Sequence, residues 1–274
     1  GQPARRTLTV FRDRLRRLGV QNSWVGSRGP QQVEVQIFAL VPGTRERIER
    51  VLRDPGRLSF AFVVWQIDHL GLKEETNRFR AWVQAHPRQP LSDFNRLSEG
   101  EGGPRAGIAW FPFGAGLLAM EESGLPIRER VAIDLDALPL RREGFLKPAP
   151  RPELSWEFTE VGLEAIEPAE DPDGRPALRL RFRPARAAAF RDFTESFRNR
   201  SLAILRNEEI EEVVWVQAPL EDGFLLTGGW QGYTADERDA LQLVLQSGAL
   251  PVRPRLVERT PLPPRVRPPG LREE

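Results

Sequence analysis

The chain has 274 residues, which is long enough to bury a sizeable hydrophobic core in one or two domains. Its 40 Lys and Arg almost balance its 39 Asp and Glu, and a net charge of +1 gives no overall field that would indicate nucleic acid binding. The sequence contains no cysteine, which excludes disulfides, zinc–thiolate sites and thiol catalysis but does not decide the compartment.

The charge is unevenly spread, because residues 1–57 contain twelve Arg and only five acidic residues. No apolar run approaches the roughly 18 residues needed to span a bilayer. The longest run, residues 107–120, is interrupted by Pro112. The sequence begins at Gly1 rather than at a methionine, so we expect a processed chain that a signal peptide or anchor could have preceded.

The first 64 residues are predicted to fold as helix, strand, helix and strand. An apolar stripe at helical spacing, ended by Gly19, predicts the first helix; its members are Leu8, Phe11, Leu15 and Leu18. Residues 32–37, QVEVQI, alternate polar and apolar side chains as in a half-buried strand. Thr44 is expected to be the N-cap of a second helix with the inward side chains Ile48, Val51 and Leu52. Residues 57–63, RLSFAFV, complete a pattern typical of half a ferredoxin-like sandwich.

Residues 65–150 give a weaker pattern. Residues 72–86 are expected to form an amphipathic helix that Pro87 stops, and a glycine-rich loop follows at residues 98–107. Beside prolines and glycines then come three aromatic residues, Trp110, Phe111 and Phe113. They are either a plug in the hydrophobic core or an exposed patch that binds a partner.

From about Glu153 the pattern of strands and helices becomes clear again. Residues 178–182, LRLRF, alternate as a strand, and Pro184 is expected to open a helix with the inward residues Phe190, Phe193 and Phe197. Residues 201–216 are predicted to form a hairpin around Asn207, which tolerates positive φ in a turn. The acidic residues of this hairpin are interpreted as its solvated face.

The segment from Leu226 to Pro251 predicts a strand, a glycine turn and a capped helix. Gly228 and Gly229 supply positive φ, and Thr234 with Glu237 has the spacing of a capping box. The inward residues of the helix are Leu241, Val244 and Leu245. Gly248 is expected to end the helix as a left-handed cap, and Pro251 prevents its continuation.

The C-terminal segment is expected to return as a strand over residues 252–258 and then to become rich in proline. Such a proline-rich tail cannot join the interior of a sheet and should be extended or polyproline II. Its candidate partner-binding residues are Pro263, Pro264, Pro268 and Pro269.

Two blocks of the sequence, in the correct order, resemble the first large extracytoplasmic domain of SecD/SecDF, the accessory membrane subunits of bacterial protein export. The first block is similar to the family's N-R-V-N-x-L-G-V, Q-G-x-x-x-I-x-V-Q and L-x-F patterns at residues 12–20, 28–37 and 57–63. The second is similar to its strand, T-G-G-F-like turn, acidic helix and G-A-L-P ending at residues 226–251, with Trp230 as the aromatic residue.

The resemblance implies an α+β protein with a ferredoxin-like base, in which two helices cover an antiparallel sheet, and an inserted α+β head domain. Residues 1–64 with the return strand 251–260 would form the base, 65–150 a divergent insertion, 151–250 the head and 261–274 the proline-rich tail. The hinge between base and head is expected at Pro150, Pro152 and Pro251.

No catalytic, cofactor-binding or metal site is predicted. His69 and His86 are seventeen residues apart and have no cysteine to assist them as metal ligands. Asp134 and Asp136 have the spacing of a solvated strand edge rather than of a general acid and base. Neither a nucleophile elbow nor a phosphate-binding loop is present among the glycine-rich segments. We therefore predict that the chain is not an enzyme and needs no cofactor.

The resemblance implies a non-enzymatic, SecD-like module that binds exported polypeptide or translocon components in the periplasm or an equivalent extracytoplasmic space, at the membrane surface. The alternative is a repurposed structural subunit that packs on a membrane complex and uses the proline-rich tail as a strap. In both cases the partners are proteins rather than nucleic acid, and membrane association is indirect or through a segment absent from this chain. The arginines of the first helix could meet anionic lipid or RNA, but its aromatic residues lie on the apolar face, which favours a solvated helix back.

Overall fold

A computed structural model of the chain describes residues 2–29, 31–38, 43–63, 72–105, 108–114, 131–134, 163–196, 198–229 and 232–260. Helices and antiparallel sheets occur together in it, which confirms the predicted α+β class. The chain divides into two compact units: the first contains residues 1–55 and 250–274, and the second contains residues 56–249. In the described part of the chain, no helix has both the length and the apolar character needed to cross a bilayer.

The first unit contains two helices and one hairpin. Helix α1 (Gln2–Arg17) precedes the antiparallel strands β1 (Ser23–Ser27) and β2 (Val33–Ile37), and helix α2 (Thr44–Arg53) follows them. The predicted apolar faces of α1, β2 and α2 contribute to one hydrophobic core, whose buried members are Val10, Phe11, Leu15, Val25, Ile48, Leu52 and Leu250.

Leu250 completes this core although it follows the whole second unit in the sequence. Its side chain is 1% exposed, and its backbone N–H donates a hydrogen bond of 2.8 Å to the carbonyl oxygen of Pro55. The residues at which the chain leaves and re-enters the first unit are therefore held together by a backbone hydrogen bond.

A buried arginine holds the C-terminal end of α2 against α1. Arg14 is fully buried, and its guanidinium donates hydrogen bonds to the carbonyl oxygens of Val51 at 2.6 Å and Asp54 at 2.5 Å. A helix end leaves such carbonyls without intrahelical partners, so Arg14 acts as a C-cap supplied from another helix. Burial lowers the pKa of Arg14 to about 10, against the opposing effect of the Asp54 charge, and the side chain stays charged at neutral pH.

The structure differs from the sequence prediction for this unit in several details. Thr44 is the first residue of α2 rather than its N-cap, which is Gly43 with a φ of 84°. Strand β1 was not predicted. Its largest apolar side chain, Trp24, is exposed, so the strand lacks the usual alternation of buried apolar and exposed polar residues. The ferredoxin-like arrangement is not confirmed, since β1 and β2 form a two-stranded sheet and the described residues 251–260 contain no strand.

The second unit contains the remaining elements. Its strands are β3 (Leu58–Val63), β4 (Ile108–Phe111), β5 (Val131–Asp134), β6 (Leu163–Glu170), β7 (Pro176–Phe182), β8 (Ser201–Arg206), β9 (Glu209–Trp215) and β10 (Gly223–Leu226). Its helices are α3 (Leu72–Ala85), α4 (Leu91–Arg96), a short 3₁₀ helix (Glu99–Glu101), α5 (Pro184–Ser196) and α6 (Ala235–Ser247). The predicted helices at 72–86 and from Pro184 and the predicted hairpin at 201–216 are thereby confirmed.

Two antiparallel sheets form the framework of the second unit, with strand orders β4-β5-β3-β8-β9 and β10-β7-β6. Strand β3 was expected in the base, but it pairs with β5 and β8 in the five-stranded sheet. Its side chains alternate between two cores, because Phe60 and Phe62 face a large core while Ala61 and Val63 face a smaller one.

The large core joins both sheets to helices α5 and α6. Phe60 of the five-stranded sheet contacts Phe190 of α5 and Phe224 of β10 edge-to-face, with ring centroids 5.1 and 5.0 Å apart. Helix α6 contributes Leu241 and Leu245, as its predicted apolar stripe requires. The core therefore connects the strands that carry the candidate site described below.

The segment after β4 closes the five-stranded sheet into a ring. Ile210 of β9 donates its backbone N–H to the carbonyl oxygen of Pro112 and accepts the N–H of Gly114, each at 2.8 Å. Because β4 is the outer strand at the opposite end of the sheet, its continuation pairs the two outer strands with each other. The small core fills the interior with Ala61, Val63, Ala203, Leu205 and Ile210.

Helix α6 begins as the sequence predicts and ends differently. The Thr234 hydroxyl accepts the N–H of Glu237, whose carboxylate accepts the N–H of Thr234, so the predicted capping box is present. Gly248 has a φ of 87° but a ψ of 163°, so its positive φ is confirmed whereas a left-handed cap is wrong.

Candidate polypeptide-binding groove

An open groove of about 350 Å³ lies in the second unit beside strands β9 and β10. Each of these strands is the outermost of its sheet. The lining is almost entirely apolar and consists of Phe60, Leu202, Ile204, Val214, Trp215, Val216, Gln217, Ala218, Pro219, Leu220, Phe224 and Leu225. We call this feature the β9–β10 groove.

The floor of the β9–β10 groove is part of the large core, and its rim is solvent-accessible. Phe60, Leu202 and Ile204 are each at most 2% exposed, so the floor is rigidly packed. Trp215 is 54% exposed at the end of β9. An exposed tryptophan next to a concave apolar surface is typical of a protein-binding site, because aromatic residues contribute much of the binding energy at such sites.

The hydrogen bonds of Thr227 join β10 to β9 next to the groove. Its backbone N–H and its hydroxyl donate to the two carboxylate oxygens of Glu212, at 3.2 and 2.9 Å. Thr227 begins the predicted Thr-Gly-Gly turn, so this turn is anchored to β9 through a side chain rather than through a strand pairing.

A β-bulge in β9 directs two neighbouring glutamates to the same turn. Ile204 of β8 pairs with Glu212 and Leu205 pairs with Ile210, so Glu211 is the extra residue. Successive residues of a regular strand point to opposite faces, and a bulge changes this. Glu211 accepts a hydrogen bond of 2.8 Å from the hydroxyl of Tyr233, while Glu212 bonds Thr227.

Burial shifts the protonation of this carboxylate–tyrosine network. Desolvation raises the pKa of Glu212, and the nearby charge of Glu211 adds to this, while the hydrogen bonds from Thr227 oppose it. Desolvation and the charge of Glu211 also raise the pKa of Tyr233 well above its ordinary value of 10.0. Arg206 donates a hydrogen bond of 2.9 Å to Glu211. Of the two glutamates, Glu211 is therefore the one whose charge is balanced by an arginine.

The first glycine of the turn is required by Tyr233. Gly228 has a φ of 79°, and a Cβ atom placed on it would lie 2.8 Å from the aromatic ring of Tyr233. The first two residues of the Thr-Gly-Gly turn are thus explained by hydrogen bonds at Thr227 and by a ring contact at Gly228.

Trp110, a predicted partner-binding residue, is a core residue. It is 4% exposed and stacks on Phe79 with ring centroids 4.0 Å apart. Its indole N–H donates to Glu75 at 3.2 Å, and its backbone exchanges two hydrogen bonds with the side chain of Asn95. Trp110 is therefore a plug in the hydrophobic core and not part of an exposed patch.

Phe111 and Phe113 are half-buried and pack against the small core. They belong to the segment that closes the five-stranded sheet, which gives them a structural role. A further role for them in partner binding stays a prediction.

The structure describes only one of the other predicted site residues. Pro150, Pro152, Pro263, Pro264, Pro268 and Pro269 lie outside the described residues. Pro251 is described and directly follows Leu250 in the first unit. The chain passes between the units at residues 55–56 and 249–250, so Pro251 lies beside one of these passages, and the hinge itself stays a prediction.

The β9–β10 groove was missed by the sequence interpretation, although two signals for it exist. The strand IEEVVWV carries two adjacent glutamates, which break the alternation and indicate a bulge. The segment QAPL, residues 217–220, contains a proline between two strands and so predicts a loop that could cover or line an opening. Neither signal reveals that β9 and β10 lie beside one opening.

Comparison with known families gives one match within the chain. Residues 157–252 match the family described as SecDF, P1 head subdomain. This range contains β6 to β10, α5 and α6, and therefore most of the groove lining. No curated protein matches the chain.

Two solved structures share the fold. One is described as a membrane component, SecDF, that enhances protein export: it has 16% sequence identity and a TM-score of 0.57, over 95% of this chain and 94% of that chain. The other is SecDF in a super-membrane-facing form, with 16% identity and a TM-score of 0.52 over 92% of this chain. The present chain spans 27% of the length of that second structure. At these identities the likeness concerns the fold.

Proposed function

We propose that residues 157–252, which match the model of the SecDF P1 head subdomain, form such a subdomain and bind unfolded, exported polypeptide in the β9–β10 groove. The match supports the expected resemblance to the first extracytoplasmic domain of SecD/SecDF, with the extracytoplasmic localisation that this domain has. A role in protein export as a SecD-like module follows from the same match. Binding of polypeptide, as opposed to a translocon subunit, is the finer part of the proposal.

The observation that carries the proposal is the pairing of an exposed tryptophan with a preformed apolar groove. Trp215 is 54% exposed, while the floor beneath the groove belongs to a packed core. A preformed site avoids the free-energy cost of ordering the protein on binding. The lining has no charged side chain, which suits apolar segments of many sequences rather than one defined ligand.

The groove also suits an extended ligand. Strand β10 is the outer strand of the three-stranded sheet, and an extended peptide can add its backbone to the edge of such a strand. An unfolded polypeptide supplies both the extended backbone and the apolar side chains. A folded partner would supply them only through an exposed edge strand of its own.

The proposal can be tested by measuring the binding of a labelled, unstructured, apolar-rich peptide by fluorescence anisotropy. Trp215→Ser is expected to weaken binding about tenfold, because it removes the exposed aromatic contact. Trp24→Ser is a matched control, since Trp24 is 46% exposed in the first unit, and it is expected to leave peptide affinity unchanged. Equal affinities of the unaltered chain and Trp215→Ser would refute the groove as the site.

Crosslinking separates the two kinds of protein partner. A photo-reactive phenylalanine analogue at Gln217 in the groove is expected to capture a polypeptide arrested during export. Capture of a translocon subunit instead, with no export substrate, would overturn polypeptide binding and favour a docking role. The structural-subunit alternative depends on the tail, residues 261–274, which lies outside the described residues.

A further inference from the structure

Charge is sorted between the two units of the chain. The first unit contains 17 Arg and eight acidic residues, a net charge of +9, whereas the second contains 23 Lys and Arg and 31 acidic residues, a net charge of −8. The overall charge of +1 hides this contrast. A net charge of +9 on the smaller unit creates a field that attracts anionic surfaces.

Most of the arginines in the helices of the first unit are on its surface. The exposed ones are Arg5, Arg6, Arg12, Arg16 and Arg17 on α1 and Arg45, Arg47, Arg50 and Arg53 on α2. Asp13, which pairs with Arg16 and Arg17, partly offsets the charge of α1. Arg14, by contrast, is the buried cap of α2 and takes no part in this surface.

An exposed tryptophan lies among these cations. Arg12, Arg16 and Trp24 line one open depression of about 420 Å³ together with Gly19, Val20, Gln21, Ser23 and Val25. We call it the Trp24 depression. Arg12 donates a hydrogen bond of 2.9 Å to the carbonyl oxygen of Val25, which fixes the first arginine beside β1.

The indole ring of Trp24 is held on the surface by a neighbouring glycine. A Cβ atom on Gly26 would lie 2.1 Å from the ring, so the ring lies across the glycine backbone. The ring nevertheless remains 46% exposed. Since burial in its own unit does not account for this ring, its fixed and exposed position points to an external apolar contact.

Together these observations fit the interface of an anionic phospholipid membrane. Arginines near an anionic bilayer are attracted to its phosphate groups, and tryptophan prefers the boundary between headgroups and acyl chains. Single-stranded RNA is a poorer fit, because its binding uses several aromatic residues along a basic groove. The Trp24 depression contains one. Glu34 and Gln36 on β2 are the polar residues that pair across the hairpin from Gly26 and Trp24.

We infer that the first unit binds anionic phospholipid directly through the Trp24 depression and the exposed arginines of α1. This is independent of the proposed polypeptide binding, which uses the second unit. The sequence favoured a purely solvent-exposed role for the arginine-bearing face of α1, and the inference gives this face a ligand. It also adds a direct membrane contact to the indirect membrane association that the sequence analysis expected.

Co-sedimentation with vesicles tests the inference. The chain is expected to bind vesicles of mixed phosphatidylcholine and phosphatidylglycerol and to be released by high salt, and not to bind phosphatidylcholine alone. Arg12→Gln with Arg16→Gln is expected to lower the partition coefficient about 30-fold, from about 1 kcal/mol per arginine. Arg181→Gln with Arg191→Gln in the second unit changes the net charge equally and is expected to have little effect.

Trp24→Ser provides an independent readout, with an expected loss of about threefold or more in partition, because it removes the apolar contact but no charge. Thermal unfolding of each variant shows whether the fold is retained. Equal decreases of the partition coefficient in the two double-arginine variants would overturn the inference, since they would indicate that net charge attracts the chain to the vesicles without a defined binding site. Binding to phosphatidylcholine alone, or single-stranded RNA that competes fully with the anionic vesicles, would also overturn it.

Discussion

Asn207 and Arg57 are joined by two hydrogen bonds that run in opposite directions. The backbone N–H of Arg57 donates to the side-chain oxygen of Asn207 at 3.0 Å, and the backbone N–H of Asn207 donates to the carbonyl oxygen of Arg57 at 2.9 Å. The turn between β8 and β9 is thus fastened to the beginning of β3. Asn207 therefore adopts the positive φ that the turn requires and also holds the turn against the beginning of β3.

The neighbouring residue, Glu208, is expected to lower the stability of the fold. Its φ is 68°, a left-handed conformation that costs a non-glycine residue about 1–2 kcal/mol. Glu208→Gly should therefore raise the free energy of unfolding by about 1 kcal/mol, measured by urea denaturation. Asn207→Gly should have the opposite sign, because it leaves the N–H of Arg57 without its acceptor. A stabilising Asn207→Gly would show that the bond to Arg57 contributes little.

Arg14 is expected to be the most sensitive charged residue of the first unit. Arg14→Ala removes the donor of two buried carbonyls and leaves a cavity, which should cost about 3 kcal/mol or more in unfolding free energy. Arg17→Ala removes a surface arginine from the same helix and should cost under about 0.5 kcal/mol. Chemical denaturation followed by far-UV circular dichroism can measure both. Similar small losses in the two variants would contradict the capping role of Arg14.

Gly228 should be intolerant of any side chain. Gly228→Ala combines an unfavourable positive φ with a clash against the ring of Tyr233, for an expected loss of about 2–4 kcal/mol. Gly100→Ala is a suitable control, because a Cβ atom there meets no other atom within 4 Å. Adding Tyr233→Ser should rescue part of the loss, since it relieves the clash but not the strain. A complete absence of rescue would indicate that the ring contact is irrelevant.

Stability of the second unit is expected to depend on the protonation of Glu212. Its pKa is raised in the folded state, so the fold favours the protonated carboxyl group. The resulting stabilisation is complete below the ordinary pKa of 4.5 and is lost as the pH rises through the folded-state value. Glu212→Gln should therefore be more stabilising, relative to the unaltered chain, at pH 8 than at pH 4.

Urea denaturation at the two pH values measures this difference. Glu170→Gln, which removes one exposed carboxylate, matches the change in net charge. The same pH dependence in both variants would show that burial of Glu212 is not the cause.

Removal of the tail distinguishes polypeptide binding in the groove from the structural-subunit alternative. A chain that ends at Thr260 lacks the proline-rich residues 261–274 but keeps the groove and is expected to bind the apolar-rich peptide with unchanged affinity. Anisotropy titrations of both chains provide the comparison. Loss of peptide binding in the shortened chain would assign the function to the tail and favour the strap alternative.

Local signals in the sequence predicted most of the elements. The capping box at Thr234 and Glu237, the helical stripes of α1 and α6 and the hairpin of β8 and β9 depend on residues close together in sequence, and all are present. The Asn207 turn was also predicted, although its two bonds to Arg57 join residues 150 positions apart. Such distant contacts leave no periodic pattern.

The errors arose where tertiary pairing decided the outcome. Strand β3 has a pattern that suits either unit, and its pairing with β8 placed it in the second. For Trp110 the sequence left a core plug and an exposed patch as alternatives, and its stacking on Phe79 decides for the core. The β9–β10 groove depends on the position of two outer strands from different sheets, which hydrophobic periodicity does not encode.

Leu250 has a consequence for the order in which the chain can fold. A chain that emerges N-terminus first presents α1, β1, β2 and α2 long before Leu250, the residue that completes their core and bonds Pro55. The second unit is contiguous in sequence and needs no such late contribution. During synthesis or export, the first unit should thus remain an incomplete and protease-sensitive intermediate until the second has fully emerged, so the N-terminal residues are among the last to become native.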